Sequence, residues 1–187
     1  MSLNPYLSRQ LLTVLAQGRA ALEGLDGDVY RQSPVPIATS SVGEHMRHVL
    51  DAIECLVAGA AERRVDYDQR ERDEATEREA GTALARIAAI EVRIGGWSER
   101  DATPLRVRAD APGGANGSAQ DASEDDGWID STIGRELMYL VNHTIHHYAI
   151  IGMILRHQGV ALPDDFGVAP STLRYWKEAG RCAPRVG

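Results

Sequence analysis

The residues best equipped for chemistry are six histidines: His45, His48, His143, His146, His147 and His157. Three of them fall within five positions, in HTIHH (143–147). If that stretch is helical, His143 and His147 stand at i and i+4, on one face, with Cβ atoms about 5–6 Å apart. Two imidazoles so placed can reach one metal ion at about 2.0–2.1 Å each. A third ligand must then come from another element. His45 and His48, in SVGEHMRHVLDAIE (41–54), offer it at a spacing of i, i+3. On a helical wheel His45 falls within the apolar arc of Val42, Val49 and Leu56. His48 falls at its edge, beside the small residues Ala52, Cys55 and Gly59. Periodicity slightly favours His45 as the interior residue and leaves the choice of ligand open.

The competing reading is a set of packed structural histidines with no metal. No HExxH is present, so the zinc-peptidase helix is excluded. Glu44, Asp51 and Glu54 read as solvated or helix-end charges, with Asp51 also placed to orient a ligand by a hydrogen bond. His146 reads as facing the surroundings of the site or a substrate, His157 as a surface residue. Cys55 reads as a packed small residue within reach of the site. No nucleophile or acid–base pair stands out, and the catalytic residues are unknown at this level.

These residues require helices to position them. Leu7, Leu11, Leu12, Val14, Leu15, Ala21 and Leu22 recur at helical spacing, predicting a first helix from about Asn4 to Leu25. Residues 26–40, with two prolines, read as a loop. Ser41 and Glu44 form a capping-box signature opening a second helix that ends near Gly59. The charged stretch 62–80 leads into a third helix, about Asp73 to Trp97. Leu105–Arg108 alternates as a short strand, and Trp128-Ile129 pairs back onto it in a small hairpin. Between them, 111–127 is a low-complexity loop. Asp130 or Ser131 caps a fourth helix running to His157 and stopped by Gly159. Pro170 opens a short terminal helix. The pattern is an all-α, four-helix bundle, one domain over 1–187, with a short irregular or hairpin insertion between helices three and four.

Composition agrees. Hydrophobic residues make up 43% of the 187 residues and aromatic residues 5%. A core of Leu, Ile, Val and Ala suits helices. The net charge of −7, with a single lysine, argues against nucleic-acid binding. Cys55 and Cys182 form neither a disulfide framework nor a zinc-finger spacing. The N-terminal residues do not read as a signal peptide, and no apolar run is long enough to cross a membrane. The expected setting is the cytoplasm.

Two segments, SVGEHMRHVLDAIE (41–54) and VNHTIHHYAIIGMILRHQG (141–159), together resemble the DinB/YfiT-like family of metal-binding four-helix bundles. They lie about 95 residues apart, in the family's order of helices. The resemblance implies His48, His143 and His147 as ligands of one divalent ion, zinc or nickel, with water in the remaining positions; His45 matches a position that is usually apolar. It implies a metal-dependent enzyme, a thiol-dependent transferase or a hydrolase, acting on a small molecule with a low-molecular-weight thiol as partner. The alternative is a non-catalytic metal- or ligand-binding bundle. A homodimer through an exposed helix face is compatible with the pattern. The chain departs from the family at Tyr148, where many members carry Arg, and in the Gly-rich, acidic 105–130 insertion.

Overall fold

The computed structural model describes residues 6–69, 73–97, 102–108 and 127–180. Seven helices are present among these: α1 (Tyr6–Leu22), α2 (Gly27–Arg31), α3 (Val42–Gly59), α4 (Glu74–Arg78), α5 (Ala80–Gly95), α6 (Ile133–His157) and α7 (Pro170–Glu178). Three short strands accompany them: β1 (Arg64–Asp66), β2 (Pro104–Arg108) and β3 (Ile129–Thr132).

The four long helices share one core. α1 packs on α5 and α6, and α3 packs on the same two from the other side. Leu11 and Leu15 of α1, Leu50 and Ile53 of α3, Ile87 and Ile90 of α5, and Leu140 and Ile154 of α6 are buried there. Each long helix is therefore amphipathic, and burial of its apolar stripe supplies most of its stability. α1 and α6 meet closely at Gly18. A Cβ at that position would lie 2.0 Å from the Tyr148 Oη atom, so only glycine fits.

α3 starts with the capping box expected. The Ser41 hydroxyl accepts from the Glu44 N–H, and the Glu44 carboxylate accepts from the Ser41 N–H at 2.7 Å. The other boundaries need adjustment. The 26–40 stretch is not all loop: Asp26 caps the short α2 by accepting from the N–H groups of Asp28 and Val29. The expected third helix is broken at Glu79, which lies outside both α4 and α5. α6 is capped by Thr132 and not by Asp130 or Ser131: the helix begins at Ile133, and the Thr132 hydroxyl, at the last residue of β3, accepts from the Arg135 N–H. Gly159 does end α6, at φ +81°.

The fold is not purely α. β2 and β3 pair antiparallel, Leu105 opposite Ser131 and Val107 opposite Ile129, as the alternating pattern implied. The third strand was not expected. β1 pairs parallel with β2, Val65 opposite Val107, giving the order β1-β2-β3. Its sequence, Arg-Val-Asp, is too short and too charged to show an alternation. Arg64 and Arg108 lie over the Trp128 ring, and Arg108 pairs with Asp66, which ties the three strands at one end. The low-complexity 111–126 stretch, the Asn4-Pro5 start and Cys182 lie outside the described residues.

Candidate metal centre

Packing of α3 on α6 brings the two histidine-bearing segments face to face. His48, His143 and His147 each offer a ring nitrogen, and these three atoms lie within 4.8 Å of one another. His143 Nε2 and His48 Nε2 are 3.0 Å apart. The rings meet edge to face, with centroids 4.5 to 4.9 Å apart. All three residues are half-buried, so the cluster sits at the rim of the bundle rather than in its core.

The spacing can be compared with what an ion needs. Two nitrogens, each about 2.0–2.1 Å from a metal, are about 3.3–3.4 Å apart at the tetrahedral angle and about 2.9 Å apart at a right angle. The 3.0 Å approach falls in that range. It also accommodates an N–H···N hydrogen bond between complementary tautomers, so the pair is sound without an ion. The donor set is all imidazole and neutral, which suits zinc, copper or nickel better than calcium or magnesium.

His45 joins the cluster from a different side. Its Nδ1 is 3.0 Å from the Nδ1 of His147. His45 is half-buried, not the deeply interior residue that periodicity favoured, and it stands outside the three-nitrogen group. His146 is exposed, with its ring 5.3 Å from that of His147. His157 is exposed at the end of α6.

The electrostatics favour neutral rings at His147 and His45. Burial, followed by the neighbouring His143, His48, His45 and His146, pushes His147 down to about 3. Burial likewise lowers His45, against the pull of Glu44. Neutral imidazole is the form that binds a metal.

Several expected neighbours are elsewhere. Asp51 orients no histidine. It is 4% exposed, and its carboxylate accepts from Arg47 at 2.9 Å and Arg86 at 2.8 Å. Glu54 also pairs with Arg86. These carboxylates hold α3 to α5 through Arg86 and are paired, not free, charges. Cys55 lines a separate concavity with Asp51, Glu54 and Asp66, and is not one of the three converging residues. Tyr148 makes no substrate surface. It is fully buried and stacked on Phe166 with ring centroids 5.4 Å apart.

A second group beside the histidines went unnoticed in the sequence. Tyr139 stacks on His143, with ring centroids 5.4 Å apart, and meets Tyr67 edge to face at 5.7 Å. The Tyr67 hydroxyl donates to Glu136 at 2.8 Å, and the Ser131 hydroxyl donates to the other oxygen of that carboxylate. Burial, then Glu136, raises the Tyr67 pKa well above its ordinary value. The signal was available: Glu136, Tyr139, His143 and His147 recur at steps of three, four and four along one face of α6.

No family model and no solved structure matches the chain. A curated protein does: FK506-binding protein 5 of Rhizopus delemar is 36% identical over 116 residues, 61% of this chain and 28% of the relative. The chain thus spans little more than a quarter of that relative's length. This finding overturns the resemblance to the DinB/YfiT-like family, since the similar protein carries a different name and no family match supports the motifs. The description of the chain as a DinB-like metal enzyme, whether thiol-dependent transferase or hydrolase, falls with it. The short HxxxH and capped-helix motifs reflect helical geometry that unrelated bundles can share. Among the described residues, no helix is long and apolar enough to cross a membrane.

Proposed function

We propose that this chain is a small-ligand-binding domain, the property that its fungal relative's name states of that protein, and that His48, His143 and His147 within it hold a divalent transition-metal ion. The observation that carries the ion is the 3.0 Å approach of His143 Nε2 to His48 Nε2 within a three-nitrogen group. Held by three protein ligands, the ion keeps at least one position open to solvent or to a ligand atom. The reading is one of binding and assigns no reaction.

The ion is tested by titrating chelator-treated, untagged protein with zinc or nickel in a calorimeter. One ion per chain with micromolar or tighter affinity, lost in His48→Ala and His143→Ala but kept in His157→Ala, supports the site. Equal affinity in all four proteins refutes it. The ligand reading is tested separately, by titrating FK506 into the same protein. Saturable one-to-one binding supports the relationship in function, and no binding at the solubility limit ends it for this ligand.

A further inference from the structure

A cleft between α1 and the segment 160–166 forms the other prominent concavity, and it contains none of the six histidines. Its volume is about 600 Å³, inside the range of about 300–1,000 Å³ typical of small-molecule sites. The space arises because α1 presents Ala16, Ala20 and Ala21 there, followed by Gly24, where larger residues would fill it. The apolar walls are Leu25 and Val29 on one side, and Val160, Leu162 and Phe166 on the other.

Its charges are of one sign. Glu23, Asp26 and Asp165 line the cleft, and among the described residues no Lys, Arg or His does. Asp26 is engaged as the cap of α2. Glu23 and Asp165 are exposed carboxylates at the opening. An apolar chamber with an anionic mouth complements a molecule that is apolar in body and cationic at one end. An anion meets repulsion there, and an uncharged molecule forgoes the attraction.

We propose that this cleft binds a hydrophobic organic cation, such as an aliphatic or aromatic amine or quaternary ammonium compound, with its apolar part against Leu162 and Phe166 and its charge between Glu23 and Asp165. The proposal stands on the cleft alone and is independent of the histidine cluster.

The test is a fluorescence titration at low ionic strength with three probes: a dansyl amide carrying a trimethylammonium group, the uncharged dansyl amide, and anilinonaphthalene sulfonate. The cationic probe binds at least threefold more tightly than the neutral one, and the sulfonate binds most weakly. The double variant Glu23→Gln, Asp165→Asn erases the cation's advantage and leaves the neutral probe unchanged. Ala20→Trp, at an exposed position on the cleft wall, weakens the cationic probe at least tenfold. The histidine variants leave all three titrations unchanged. Equal affinities for the three probes, preference for the sulfonate, absence of binding, or an Ala20→Trp protein that binds as well as wild type would overturn the proposal. So would FK506, which carries no such charge, displacing the cationic probe from the double variant as effectively as from wild type.

Discussion

Replacing His48 by alanine separates a metal centre from a packed histidine, because only a metal centre makes the variant lose a zinc-induced gain in stability. In the metal-free protein, His48 brings a third half-buried imidazole against His143 and His147, and its presence helps to hold His147 far below its ordinary pKa. No large apolar surface is lost with it, so His48→Ala changes the metal-free stability by less than about 1 kcal/mol. The metal-bound protein behaves differently. With a dissociation constant of about 1 μM and about 100 μM free zinc, binding stabilises the native state by about 2.7 kcal/mol. At about 2–4 °C per kcal/mol for a domain of this size, the melting temperature rises by about 5–11 °C. Loss of one of three ligands that weakens binding about a hundredfold leaves about 0.4 kcal/mol, a rise of about 1 °C. The assay is thermal denaturation with and without zinc, on wild type and variant. A variant that keeps the full zinc-induced rise, or one that melts more than about 10 °C lower before any zinc is added, refutes the reasoning.

Further outcomes follow from other groups. Because the folded pKa of His147 lies below its unfolded value, the unfolded chain takes up a proton first as pH falls. The metal-free protein therefore keeps this contribution above pH 6.5 and loses it as pH drops from 6.5 toward about 3; urea midpoints at pH 7.5 and 5 show the decline, which His147→Gln reduces. Asp51→Ala removes the buried carboxylate shared by Arg47 and Arg86, which keep Glu77 and Glu54, and destabilises the fold by about 1–3 kcal/mol, read from chemical denaturation. The Tyr148 hydroxyl is buried without a partner among the described residues, so Tyr148→Phe stabilises by about 1 kcal/mol in the same experiment. Gly18→Ala destabilises, and less so when combined with Tyr148→Phe, because the Oη atom it would strike is gone.

What the sequence disclosed followed the strength of its periodicity. α1, α3 and α6 carry long apolar stripes, α3 and α6 also carry side-chain caps, and their extents were legible to within a few residues. The β2–β3 pairing was legible from Leu105 to Arg108, where apolar and basic residues alternate. β1 was hidden because three residues cannot display a period. The break at Glu79 was hidden too, since Glu is a good helix former and nothing in its type marks an end. At the cluster, the i, i+4 relation of His143 and His147 came directly from helical geometry. Which of His45 and His48 faces them depended on how α3 is rotated against α6, which one helix's pattern cannot fix. The burial of Asp51 and Glu136 was invisible for a similar reason: their partners, Arg86 and Tyr67, come from distant segments.

The small sheet connects the two histidine helices in a way that sets their alignment. β1 follows α3 within a few residues, and β3 runs directly into α6. α3 therefore travels toward the sheet and α6 away from it. Counted back from Gly59, His48 is eleven residues into α3; counted forward from Thr132, His143 is eleven residues into α6. At 1.5 Å per residue, both stand about 16 Å from the strands. The two helices act as levers of equal length rising from a common base, and the hydrogen-bonded strands are that base. A residue inserted between β3 and His143 would turn that histidine by about 100° and advance it by about 1.5 Å while His48 stayed in place. The distance between the ring nitrogens is thus determined as much by a count of residues from the strands as by the contacts around the rings.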